Sequence, residues 1–168
     1  MEFAPFVPPD DLANSEGSAM MMQETIGRPM EILLIEDNLS DARLAIESLR
    51  DGQIKHRLTL ICDGEEAVEF LTREGRFVRA PRPDLILLDL ELPKKGGREL
   101  LEELKHDEQL RSIPVVVLTA SRIHEEILRA EHLQVESYIT KPVALEKFLK
   151  VVRDLRQYWL ADMIVPSA

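Results

Sequence analysis

From Met30 onward the chain alternates short apolar runs with longer stretches in which apolar positions recur every three or four residues. The runs are Ile32-Leu33-Leu34-Ile35, Leu58 to Ile61, Leu85 to Leu88, Val115 to Leu118 and the weaker Ser137-Tyr138-Ile139. Each is short and apolar on both faces, as a strand buried between two helical layers should be.

The intervening segments predict helices. Leu39, Ala42, Ile46 and Leu49 follow 3, 4, 3 spacing, with Gly52 as a stop signal. Ala67, Phe70 and Leu71 mark a second helix, Leu100, Leu101 and Leu104 a third, and Ile123, Ile127 and Leu128 a fourth. The clearest stripe is the last: Leu145, Phe148, Leu149, Val152, Leu155 and Trp159. A β-α unit repeated five times implies an α/β fold, a doubly wound parallel sheet with right-handed crossovers and helices on both faces. Ligands of such sheets sit where the carboxyl ends of the strands open outward.

Residues 1–28 differ in texture. Pro5, Pro8, Pro9 and the polar stretch Asn14 to Ser18 carry no sustained period, so this segment is expected to be a flexible leader. Residues 29–158 form the expected domain, and 159–168 an apolar arm in which Trp159, Leu160, Ile164 and Val165 are candidates for contact with a second copy of the chain. The expected assembly is a homodimer.

Composition narrows the function. The 168 residues carry a formal charge of −10, which speaks against a phosphate-backbone partner such as DNA or RNA. No apolar run approaches a membrane span, and no signal peptide opens the chain, so no membrane partner and a cytoplasmic location are expected. The lone Cys62 excludes an internal disulfide and a cysteine-built zinc site; it is expected to be buried or half-buried. His56, His106, His124 and His132 have no metal-binding spacing and are expected at the surface.

The strand ends carry the chemistry. The first run ends in Glu36-Asp37, the third in Asp89, the fourth in Thr119, and the fifth in Thr140-Lys141-Pro142. Adjacent parallel strands would bring these groups to one edge. Clustered carboxylates repel each other, and burial raises the cost of keeping them ionised. A hard divalent cation relieves both, and oxygen ligands without His or Cys favour Mg2+ over zinc. Together with the Lys141 ammonium and the Thr119 hydroxyl, such an ion makes a cradle for a phosphoryl group, and one carboxylate is placed to serve as nucleophile.

Four ordered segments carry a resemblance: Ile32 to Asn38, Pro83 to Asp89, Pro114 to Ala120, and Tyr138 to Pro142. Residues Met30 to about Trp159 resemble the receiver domain of two-component response regulators. Leu92-Pro93-Lys94-Lys95 and Tyr158-Trp159-Leu160 further resemble the stand-alone regulators that serve phytochrome-type sensor kinases. The resemblance implies a flavodoxin-like strand order 2-1-3-4-5. It implies Asp89 as phosphoacceptor from a sensor histidine kinase, with Mg2+ held by Glu36, Asp37, Asp89 and the backbone carbonyl of Glu91. It further implies Thr119 and Lys141 on the phosphoryl oxygens, Thr119 and Tyr138 as switch residues, and a cis peptide between Lys141 and Pro142. With no room for an output domain, the signal is expected to leave through the receiver's own surface. No enzymatic activity is expected beyond autocatalytic phosphoryl transfer and self-dephosphorylation.

Two other readings compete. A haloacid-dehalogenase-like phosphatase would need a second aspartate two residues past the nucleophile, where this chain has Glu91. A pseudo-receiver that never takes phosphate would not need its acids, threonine and lysine intact. Two positions depart from the family pattern. Glu91 stands where related regulators often carry Asn, and Gly96 replaces an acid before the third helix, removing a side-chain cap worth about 1 kcal/mol.

Overall fold

The computed structural model describes residues 28–51, 55–120, 122–133 and 135–141, together with positions 144, 146, 147, 150 and 151. Its strands are β1 (Met30–Ile35), β2 (His56–Ile61), β3 (Leu85–Asp89), β4 (Val115–Thr119) and β5 (Ser137–Thr140). Between them run α1 (Leu39–Asp51), α2 (Gly64–Thr72), α3 (Gly97–His106) and α4 (Arg122–Ala130). The sheet order is β2-β1-β3-β4-β5 with every pairing parallel. The leader, Gly52, the stripe from Leu145 to Trp159, and the C-terminal arm lie outside the described residues.

Alternation within the apolar runs sorts the core into two layers. Ile32, Leu34, Leu85, Leu87, Val116 and Leu118 point to the side of α1, where Ala42, Ala45 and Leu49 meet them and Val151 joins. Leu33, Ile35, Ile86, Leu88, Val115 and Val117 point the other way, onto Ala67, Phe70, Leu100, Leu101, Leu104 and Leu128 of α2 to α4. β1, β3 and β4 are thus sealed on both sides. β2 and β5, at the sheet edges, are buried only at Leu58 and Ile61 and at Ile139, a departure from the two-sided burial expected of all the runs.

The helical expectations also need amendment at two places. Leu39 starts α1 but is 59% exposed, because the stripe that faces the sheet begins one turn later at Ala42. On α4, Ile123 and Ile127 face solvent at 64% and 42% exposure, while Leu128 is buried. Positions 123 and 127 share a helix face, and residue 128 is rotated about 100° from 127, so only one of these faces can meet the sheet.

Local chemistry fixes the ends. Asn38 Oδ1 accepts from the amides of Ser40 and Asp41, which starts α1. Asp63 caps α2 through the amide of Glu66 at 2.8 Å. α3 begins at Gly96 with no side-chain cap, as the missing acid predicts. At the opposite pole of the sheet, Asp84 receives a bidentate pair of 2.8 Å hydrogen bonds from Arg28 and another from the Glu31 amide. That clamp pins the entrance of β1 beside that of β3.

Candidate phosphoacceptor and metal site

Parallel register brings the loaded strand ends together. Ile35 is level with Leu88, so Glu36 follows β1 at the height of Asp89; Asp89 is level with Leu118, and Thr119 with Thr140. Lys141 leaves β5 one residue later, its amide donating to the Thr119 carbonyl at 2.8 Å. Side chains far apart in sequence therefore share one rim.

Glu36 is fully buried, and Asp89 and Thr119 are 5% and 3% exposed, whereas Asp37 faces solvent. One carboxylate oxygen from each of Glu36, Asp37 and Asp89 lies within 4.8 Å of the others. Glu36 Oε1 accepts from the Asn38 amide at 3.1 Å, and Asp89 Oδ1 from the Glu91 amide at 3.1 Å. The Lys141 ammonium closes the cluster, 2.7 Å from Glu36 Oε2, 3.0 Å from Asp41 Oδ2 and 3.4 Å from Asp89 Oδ2.

These contacts set the protonation energetics. Burial, and then the facing Asp89 carboxyl, push the Glu36 carboxyl up to about 7 against the opposing pull of Lys141. Burial alone would lower the Lys141 ammonium, but hydrogen bonds and charges from Glu36, Asp41 and Asp89 outweigh it and hold it above its ordinary value.

The arrangement suits a hard cation. Glu36 Oε2 is buried with the Lys141 ammonium 2.7 Å away as its ion-pair partner, and an oxygen with two lone pairs keeps one for a cation. Octahedral Mg2+ takes oxygens at about 2.0–2.1 Å, which sets neighbouring ligand atoms about 3 Å and opposite ones about 4 Å apart. One oxygen from each of the three carboxylates lies within 4.8 Å of the others, near enough for all three to share one cation.

Other expected site residues fall as follows. Tyr138 is half-buried against the α2–α4 layer. Burial and the Glu125 charge push its phenol up, with Arg129 opposing. Pro142 and the arm residues Trp159, Leu160, Ile164 and Val165 lie outside the described residues, and so does the expected cis peptide. Two expectations are corrected. Cys62 is exposed at the end of β2; residual burial and then the nearby acids, Glu66 foremost, push its thiol up, which disfavours the reactive thiolate. His124 is not an idle surface residue: it is half-buried, and a 2.7 Å hydrogen bond joins its Nδ1 to Thr119 Oγ1.

Asp41 and His124 were missed in the sequence. Asp41 sits on the first turn of α1, three residues past the Asn38 cap and far in sequence from the lysine it meets. His124 lies five residues beyond Thr119, a spacing that signals nothing until the β4–α4 turn is folded.

Several known proteins are similar to this chain. The chain is 42% identical over 147 residues to response regulator Rcp1 of Synechocystis, covering 88% of this chain and all of the relative. The Mn(2+)-bound crystal structure of Rcp1 superimposes with a TM-score of 0.65, covering 83% of this chain and 100% of that one. The phosphorylated cyanobacterial phytochrome response regulator RcpA does so with a TM-score of 0.66 at 43% identity, covering 83% and 99%. The receiver domain of sensor histidine kinase PA1611 from Pseudomonas aeruginosa, solved with magnesium in its active-site cleft, gives 0.63 at 28% identity, covering 75% and 96%. Among the described residues no helix is long and apolar enough to cross a membrane. Residues 32–153 match the response regulator receiver domain, and the chain belongs to that family of two-component signalling proteins.

Proposed function

We propose that Asp89 is the phosphoacceptor of this response regulator and that it takes its phosphoryl group from a sensor histidine kinase. The observation that carries the reading is the meeting of a nearly buried Asp89 with Glu36, Asp37 and Lys141 on one strand-end rim. An Asp89 carboxylate oxygen attacks phosphorus as the bond from phosphorus to the donor nitrogen breaks. The nitrogen leaves with the electron pair and takes a proton. Lys141 and the Thr119 hydroxyl receive the transferred oxygens, and the Glu91 amide steadies the acceptor. Glu36, Asp37, Asp89 and the Glu91 carbonyl would hold Mg2+, which supplies charge neutralisation on the phosphoryl oxygens. The metal-bound states of Rcp1 and of the PA1611 receiver support that choice.

The likeness to RcpA supports a phytochrome-type kinase as donor. A net charge of −10 supports a protein partner over a nucleic acid, and a cytoplasmic setting suits both. Residues 159–168 are read as an arm shared between two subunits; truncation after Tyr158 should give monomers by light scattering, and an unchanged mass would reject the arm. Intact mass after incubation with acetyl phosphate and Mg2+ tests the main reading. Wild type should gain one phosphoryl group and Asp89→Asn none; equal labelling of both would remove Asp89 from the role.

A further inference from the structure

A threonine hydroxyl carries one proton and can donate only one hydrogen bond, while a phosphoryl oxygen can only accept. In the fold Thr119 is 3% exposed at the end of β4, and its Oγ1 shares a 2.7 Å hydrogen bond with Nδ1 of His124 on the first turn of α4. To serve a phosphoryl group on Asp89, Thr119 must turn its donor toward that group. If the proton is held by the ring nitrogen, that contact has to be given up first.

We infer that His124 is a positioning residue that restrains phosphorylation by holding the Thr119 hydroxyl on α4. In this arrangement the ring carries its own proton on Nε2, and Nδ1 accepts from Thr119. The inference rests on the Asp89 reading above and adds to it a residue that touches neither metal nor phosphoryl group. It also supplies a path outward. The other switch residue, Tyr138, faces the same helix through Arg129, which is itself ion-paired to Glu125 at 2.6 Å. The two switch residues thus contact one helix at different turns. Release of Thr119 removes that contact from the first turn of the helix whose outer face bears Ile123 and Ile127.

The chemistry of the ring nitrogen dictates the test. An asparagine Oδ1 is attached to Cγ as the histidine Nδ1 is, and it accepts a hydrogen bond in the same place; a leucine methyl cannot. Phosphorylation by acetyl phosphate with saturating Mg2+ would be followed by intact mass for wild type, His124→Leu and His124→Asn, each also combined with Thr119→Val, with thermal melts confirming folding. His124→Leu should accelerate labelling at least threefold, His124→Asn should stay within twofold of wild type, and both effects should vanish without the Thr119 hydroxyl. Slower labelling of His124→Leu, no change, or the same acceleration in the Thr119→Val background would each overturn the inference while leaving Asp89 as acceptor. Failure of wild type itself to label would overturn the acceptor reading and the restraint together. If His124→Leu does not fold, acceleration is read from His124→Phe, which keeps ring volume without the nitrogen.

Discussion

Lys141 Nζ lies 2.7 Å from Glu36 Oε2, so the last strand of the sheet supplies the counter-charge for an acid carried by the first. Water solvates neither group well, since Glu36 is fully buried and the Lys141 side chain is 13% exposed. Removing one partner of a buried pair typically costs about 3–5 kcal/mol, less where the survivor can take up a proton, as Glu36 can. Lys141→Met should therefore lower the metal-free melting temperature by several degrees, with Mg2+ restoring most of the loss. Labelling by acetyl phosphate should fall at least tenfold. Calorimetry with and without Mg2+ measures the first effect, and an unchanged melt in EDTA would contradict the pairing.

The pH dependence follows from Glu36. Its carboxyl is raised from an ordinary 4.5 to about 7 in the fold, so between those values the folded state holds a proton that the unfolded chain has released. Stability rises with pH only where the unfolded state binds more protons. Here the folded state binds more, and Glu36 makes the metal-free protein less stable as pH climbs through that window. Glu36→Gln should cancel this contribution. Urea melts in EDTA at about pH 5 and about pH 8 should show wild type losing stability relative to the variant; parallel curves would refute it. Mg2+ needs the ionised carboxylate, so wild-type affinity should increase over the same interval.

Gly97 is where the loop after Asp89 meets α3. A Cβ there would stand 2.3 Å from the Asp89 carbonyl oxygen and 2.5 Å from Leu90 Cα, both backbone atoms that cannot rotate away. Gly97→Ala should destabilise the fold by about 1–3 kcal/mol and slow Asp89 labelling by displacing its loop. Gly96, one residue earlier, has open space around a Cβ and lies at the uncapped start of α3. Gly96→Asp should accordingly stabilise by about 0.2–0.5 kcal/mol, since glycine is itself a fair N-cap. Chemical denaturation of the two variants side by side should give opposite signs; two losses of equal size would mean the steric argument is mistaken.

Glu91 is exposed two residues past the acceptor, with its amide on Asp89 Oδ1. A carboxylate at this position is expected to repel a phosphoryl charge on Asp89 or to hold the attacking water. Glu91→Asn should alter the decay rate of the phosphorylated form several-fold, as followed by intact mass after donor removal. Identical decay curves would exclude a role for this side chain.

Strand order and site were legible for different reasons. Runs such as Leu85 to Leu88 leave no choice but two-sided burial, and one apolar run leading straight into Asp89 marks the strand end. Parallel pairing then places Glu36, Asp89 and Lys141 on one rim with little freedom left. α4 was misread because apolar residues at 123 and 127 look like a buried face, while the sheet is met by residue 128. Asp41 and His124 were invisible because each finds its partner across a turn, Asp41 at a lysine 100 positions away. Linear spacing encodes neighbours along a helix, not the meeting of two loop ends.

Among the described side chains of α4, Leu128 is the one apolar residue buried in the core. Burying one leucine is worth about 1.5–3 kcal/mol and the His124–Thr119 hydrogen bond adds about 0.5–1.5 kcal/mol, so the hold on this helix is light. The same lightness sets a noise floor. A fraction of molecules will open the His124–Thr119 contact by thermal agitation alone, and warming will raise that background before it unfolds the sheet.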